Sequence, residues 1–142
     1  RSHTCPNIFS SAPMLIDNYD PVGEKFVPMD LTEKQFEEKY HYEHPYRHQG
    51  VTHPRTAVAL TKDNHLLLIA IDKDRNYLTV AGMTAKEVTQ FLQFHFNPQY
   101  ALNMDGGGST TLSINGNVMN KPSGGSERKL PTHILVFDDQ KK

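Results

Sequence analysis

Residues 106–108 are three consecutive glycines, set between the apolar pair Ala101-Leu102 and the alternating stretch Thr111-Leu112-Ser113-Ile114. Glycine loses the most backbone entropy on ordering and has no side chain to pack, so neither a helix nor a strand runs well through such a triplet. The chain must break there, between two stretches of β character. Asp105 stands directly before the break and Ser109 directly after it. Two readings are open at this point. In one, glycine serves geometry alone in a tight connection; in the other, its amide N–H groups line a concave anion cradle beside a carboxylate and a hydroxyl.

The other breakers sharpen the division. Six of the nine glycines fall between 106 and 125, whereas six of the nine prolines precede residue 55. Pro6, Pro13, Pro21 and Pro28 exclude a long helix from the first thirty residues and disfavour a central strand, leaving room for a short one at Met14-Leu15-Ile16. Thr32-Glu33-Lys34-Gln35 has the form of a capping box. It opens a short helix over 32–41 with Phe36 and Tyr40 on one face, ending before Pro45. His41, His44, His48 and His53 follow. Their spacing fits no common zinc module, so they read as solvated loop histidines, with His53 set apart below.

Thr56–Leu60 and His65–Ile71 read as two strands around the turn Lys62-Asp63-Asn64. Leu66–Ile71 is continuously apolar, which predicts cover on both faces. It ends at Asp72, and Lys73 to Asn76 is turn-like. Thr84-Ala85-Lys86-Glu87 is a second capping box, with Met83 and Val88 placed as a hydrophobic staple. The helix it opens, 84–96, carries Val88, Phe91, Leu92, His95 and Phe96 as one apolar stripe, predicted to be core. Asn115-Gly116 predicts a hairpin joining Thr110–Ile114 to Val118–Asn120. Lys121–Leu130 reads as a loop, Thr132–Phe137 as a closing apolar strand and 138–142 as a polar tail. The expectation is one α+β domain with a mixed, largely antiparallel sheet and the 84–96 helix packed on it.

At 142 residues the chain holds one domain, and 37% hydrophobic with 22% charged residues describes a globular protein. A net charge of -1 without a basic block argues against nucleic acid or an anionic membrane surface as partner. No apolar run approaches the ~20 residues of a membrane span. The chain opens Arg1-Ser2-His3 with no initiator Met, as expected of a fragment or processed product. Cys5 has no second cysteine to pair with, which leaves the compartment open.

Polar residues collect at strand ends and loops near the glycines: His53, Arg55, Asp72, Asn103, Asp105, Ser109, Asn120, Ser123, Glu127 and Arg128. Arginine grips phosphate oxygens by a planar fork of donors, and carboxylates suit work at an anomeric carbon. The same set also suits a surface ion-pair network.

The order of five blocks is more specific than any one of them. They are His53-Pro54-Arg55-Thr56-Ala57; a strand ending in Asp72; Ala81-Gly82-Met83-Thr84 opening a helix; Ala101 to Thr111 with Asn115-Gly116; and Asn120-Lys121-Pro122-Ser123 with Glu127-Arg128. This succession resembles the phosphodiester glycosidase family from about His53 to Phe137, with residues 1–52 as a proline-rich arm. Ser11-Ala12-Pro13-Met14-Leu15 resembles an upstream strand of that family. Two departures accompany the likeness. The family's upstream Asn-Gly-x-Phe-Phe block is absent, so the domain is expected to lack N-terminal strands that another segment or chain supplies. Relatives also often have Asp-Gly where this chain has Asp72-Lys73.

The resemblance implies hydrolysis of a sugar-1-phosphodiester at the sugar's C1–O bond, with N-acetylglucosamine one candidate sugar, by a secreted, periplasmic or envelope protein. It implies catalytic roles among Asp105, Glu127 and Asp72. Phosphate or sugar contacts would come from Arg55, Arg128, the amides of Gly106, Gly107 and Gly108, Ser109, Asn103, Asn120 and His53. No cofactor or metal is implied, with a divalent cation left open. The alternative is a non-catalytic module that binds an anionic envelope polysaccharide; a metal-dependent phosphoesterase built on His41–His53 is a third reading.

Overall fold

The computed structural model describes residues 9–74 and 80–137. Cys5, the end of the turn at Asn76 and the polar tail at 138–142 lie outside them. Strands β1 (Met14–Asp17), β2 (Arg55–Leu60), β3 (Leu66–Ile71) and β4 (Tyr100–Asn103) form one sheet in the order β1-β4-β2-β3, and every pairing in it is antiparallel. β2 is thus central, with Ala57 opposite Ile69 on one side and Asn103 on the other. The hairpin β5 (Ser113–Ile114) and β6 (Asn117–Val118) stands apart from the sheet, turned through Asn115 and Gly116 at φ 51° and 80°. The fold is α+β. None of its helices is long and apolar enough to cross a membrane.

Three helices complete it: α1 (Glu33–Lys39), α2 (Pro45–Gly50) and α3 (Ala85–Phe96). Both capping boxes form: Thr32 with Gln35 opens α1, and Thr84 with Glu87 opens α3. Each satisfies amides that a helix start leaves without partners. α3 ends at Asn97, which takes the left-handed conformation. It lays Ala85, Val88 and Leu92, all fully buried, on Leu15, Ile16, Ala57, Ala59 and Ala101 of the sheet. Thr89 shares that face, its hydroxyl satisfied by donating to Ala85 O at 2.8 Å. The predicted stripe is corrected at its end. His95 and Phe96 are exposed, because the buried arc under α3 stops at Leu92.

Two further expectations are corrected. β3 is an edge strand, bonded to β2 alone, with Leu66 56% exposed and the rest half-buried. Leu67, Ile69 and Ile71 pack against the core on one face, but no described strand follows on the outer edge. Residues 132–137 likewise form no strand, and Leu135, Val136 and Phe137 are 70–79% exposed. An apolar run announces burial, but cover and pairing also need neighbours: among the described residues β3 has none beyond β2, and 132–137 pairs with no strand.

α2 was not foreseen: Pro45 starts a helix instead of following one. His44 is the N-cap, accepting from Tyr46 N through Nδ1 at 3.2 Å. Proline suits the first helical position, since its missing N–H would lack a partner there anyway. Tyr40 stacks on His44 with centroids 4.3 Å apart, and Phe36 packs beneath Gly50, where a Cβ would come within 2.5 Å of the ring. The α1–α2 pair thereby forms a wall facing the start of β2.

Candidate active site

β4 runs straight into the glycine turn, and each glycine has its own reason. A Cβ at Gly106 would fall 2.7 Å from Pro54 O, so the loop lies hard against the start of β2. Gly107 sits at φ +60°, in the left-handed region that penalises a side chain. At Gly108 a Cβ would lie 2.6 Å from Arg128 Nη2 and 3.0 Å from its Cζ. The Arg128 guanidinium is therefore packed on the turn across a long stretch of sequence. The expected three-amide cradle is reduced, because Gly107 N donates to Pro54 O at 2.9 Å. Ser109 N and Thr110 N close the 3₁₀ turn onto Gly106 O and Gly107 O. Ser109 is buried beneath it.

Arg55, expected to hold phosphate, is placed elsewhere. It is 1% exposed and donates through Nε to Met83 O (2.9 Å), Nη1 to Gln49 Oε1 (3.0 Å), and Nη2 to His48 O (2.8 Å) and Val51 O (2.9 Å). Four of its five N–H donors thus join α2, the start of β2 and the entry to α3. Burial draws its pKa down to about 10, with Glu87 opposing, so it stays protonated at neutral pH. It is the pin of the local fold, not an open anion hook.

Asp72 and Asn120 are likewise occupied with each other. Asn120 Nδ2 donates to Asp72 Oδ1 (2.8 Å) and Thr110 O (3.0 Å), its Oδ1 accepts from Leu112 N (2.7 Å), and Lys121 N donates to Asp72 Oδ2 (2.7 Å). Together they clamp the 120–121 loop to the end of β3, and Asp72 also lines the smaller of two clefts beside the turn. Asn103 is a scaffold residue as well. Its Nδ2 bridges Ala12 O and Met104 O, while its buried Oδ1 has no partner.

Around the turn open two adjoining clefts. One, of about 400 Å³, is lined by Glu37, Tyr42, Arg47, Val51, His53, Pro54, Lys73, Asp74, Gly107, Gly108 and Ser123. The other, of about 310 Å³, shares Lys73, Asp74 and Ser123 and continues along Asp72, Val80 and residues 121–125. Lys73, Asp74, Glu37, Tyr42 and Arg47 were not foreseen as site residues. The sole hint was an aromatic and an arginine among the histidines before β2. Lys73 Nζ donates to Thr52 O (2.6 Å) and Thr52 Oγ1 (2.8 Å), and Glu33 holds Thr52 from the other side, through its amide at 2.7 Å and its hydroxyl. Burial pushes the Glu33 carboxyl up, but the Thr52 hydrogen bonds and the Lys73 and His53 charges leave it below the usual carboxylate range.

His53 lines the larger cleft and stacks on His48, centroids 5.0 Å apart. Burial, then Arg55, His48 and Lys73, bring its pKa down to about 4 against the pull of Glu33. A neutral imidazole accepts or shares a proton at pH 7; it is no reservoir of acid. His48 is lowered too, by burial and Arg55, with Asp105 pulling the other way. Asp105 is thus within electrostatic reach of His48, exposed at the mouth of the turn, but it lines neither cleft. Glu127 is exposed and lines neither. The four histidines at 41–53 split into an edge-on pair, His41 and His44 at 5.9 Å, and the His48–His53 stack. No three His, Cys, Asp or Glu among the described residues gather to hold a metal.

Comparison with known proteins places these features. The chain is similar over 80% of its length to the catalytic domain of zebrafish N-acetylglucosamine-1-phosphodiester alpha-N-acetylglucosaminidase, a form auto-inhibited by its pro-peptide, with 28% identity and a TM-score of 0.58. It is similar over 82% of its length to a hypothetical protein from Synechocystis, with 25% identity and a TM-score of 0.54. It spans only 34% and 18% of those two chains respectively. No curated protein matches it. The phosphodiester glycosidase model matches residues 2–137, nearly the entire sequence. The chain belongs to the phosphodiester glycosidase family.

Proposed function

We propose that the protein of which this chain forms a part is an exported glycosidase. It hydrolyses the C1–O bond of a sugar-1-phosphodiester, releasing free sugar and a phosphomonoester. The observation that carries this reading is the packing of the Arg128 guanidinium against Gly108, a glycine that lines the larger cleft together with His53 and Lys73. A planar cation beside a glycine turn suits phosphate oxygens. N-acetylglucosamine is the first sugar to try, since the zebrafish protein of similar fold acts on its 1-phosphodiester.

The chemistry asks little of a general acid. The leaving group is a phosphomonoester whose last pKa is roughly 6, so it departs without full protonation. Support for charge developing on its oxygens matters more. Arg128 and Lys73 supply that charge in this reading, replacing Arg55. Asp105 acts at the anomeric carbon as base for water or as nucleophile. His53, stacked on His48, lines the cleft, and as a neutral imidazole it can accept the proton of the attacking water. Glu127 stays the second candidate; like Asp105 it is exposed and lines neither cleft.

One observation favours the non-catalytic reading, a module for an anionic polysaccharide: neither Asp105 nor Glu127 faces the clefts directly. A panel of sugar-1-phosphodiesters assayed with the full-length protein for free sugar separates the two. Turnover that disappears in Asp105→Asn supports the enzyme; binding of the panel without turnover supports the module.

A further inference from the structure

The larger cleft has two chemically different linings. Gly107, Gly108 and Lys73 line one part of it; Glu37, Tyr42 and Arg47, from α1, the loop after it and α2, line another. Tyr42 is 65% exposed, yet it is not loose: the Arg47 guanidinium lies over its ring at 5.7 Å from the centroid. Arg47 in turn is tethered, donating to Tyr40 O at 3.1 Å and Glu37 O at 3.4 Å, with Glu37 Oε1 3.7 Å from Nη2. A cation over an aromatic face fixes the ring's attitude. The ring is thus braced at the cleft while most of its apolar surface faces water, an arrangement that suits a ligand better than it suits the fold.

We infer that Tyr42, braced by Arg47, is the platform on which the sugar ring of the substrate lies, with the Glu37 carboxylate accepting from a sugar hydroxyl. A pyranose presents a patch of C–H groups on its face and hydroxyls at its edge. A flat aromatic beside a carboxylate matches both, and the part of the same cleft lined by Gly107, Gly108 and Lys73 then receives the phosphate. This subsite rests on the phosphodiester reading above for the identity of the ligand.

The test uses the full-length protein with Tyr42→Ala, Tyr42→Phe and wild type, measuring turnover of a sugar-1-phosphodiester and, separately, binding of the methyl glycoside of the same sugar. Tyr42→Ala should raise KM and the glycoside Kd roughly 10-fold, about the worth of one aromatic face, while kcat changes less than about 2-fold. Tyr42→Phe keeps the face and should bind within about 2-fold of wild type. Turnover with an unchanged KM and Kd in Tyr42→Ala overturns the platform and leaves the enzyme standing. Glycoside binding that weakens in Tyr42→Ala, in a wild type that turns over no phosphodiester, keeps the platform and removes the enzyme. A wild type that neither binds the glycoside nor turns over overturns both.

Discussion

Replacing Arg55 by lysine separates a pin of the fold from a ligand of the phosphate. Lysine keeps the charge but ends in a single ammonium, whereas Arg55 reaches Met83 O, Gln49 Oε1, His48 O and Val51 O with three nitrogens spread over a plane. One ammonium can serve the His48–Val51 side or Met83 O, not both, so at least two buried acceptors lose a charged donor. Each such bond contributes about 1.5–3 kcal/mol, which puts the loss at about 3–6 kcal/mol. For a chain of this length a kcal/mol moves Tm by about 3–4 °C, so Arg55→Lys should melt about 10–25 °C lower. Urea unfolding would give the same loss through the midpoint. Below its melting point the variant's KM for a phosphodiester should stay within about 2-fold of wild type, once corrected for the folded fraction. A variant of unchanged Tm whose KM rises 10-fold or more would show that Arg55 does grip phosphate, and the assignment of Arg128 and Lys73 would fall with it.

Asp105→Asn should abolish release of free sugar with little change in Tm, because the side chain is exposed; residual turnover near wild type removes it from the mechanism. Gly108→Ala should push the Arg128 guanidinium off the turn and raise KM several-fold at small cost in stability. Gly107→Ala meets nothing within 4 Å and should cost only the left-handed strain of about 1 kcal/mol, read by urea titration. Asp72→Ala removes the acceptor of Lys121 N and one of the two acceptors of Asn120 Nδ2, and should cost about 2–3 kcal/mol with faster hydrogen exchange across 120–125. His53 titrates near 4 when folded and at 6.5 when unfolded, so the unfolded chain binds more protons between those values. Stability should therefore be complete above pH 6.5 and fall toward pH 4, by about 1–2 kcal/mol after discounting for partial exposure. His53→Gln should flatten that slope, as followed by urea midpoints across the range.

Local chemistry made much of the fold readable in advance. Thr32 with Gln35 and Thr84 with Glu87 are self-contained signals, and the helices start where they say. Asn115-Gly116 likewise sets the hairpin turn by itself. What failed depended on neighbours distant in sequence. Leu66–Ile71 is as apolar as a doubly covered strand, but only the pairing decides that it is an edge. His95 follows Leu92 at the right spacing for the core, yet the surface under α3 has ended. In the site, the residue types named around the glycine turn were informative while their employment was not. Arginine suits a phosphate and a cluster of carbonyls equally well, and Arg55 turned out to face carbonyls. The wall formed by α1 and α2 was unread because Pro45 was taken as an end; a histidine able to cap, directly before a proline, was the signal for a start.

The most direct measurement of the central claim is turnover of a sugar-1-phosphodiester by the full-length protein in water labelled with heavy oxygen, followed by mass spectrometry of both products. Attack at the anomeric carbon puts the label on the C1 hydroxyl of the freed sugar and none on the phosphomonoester. Label on the phosphate would mean that the P–O bond had broken, and would contradict the account.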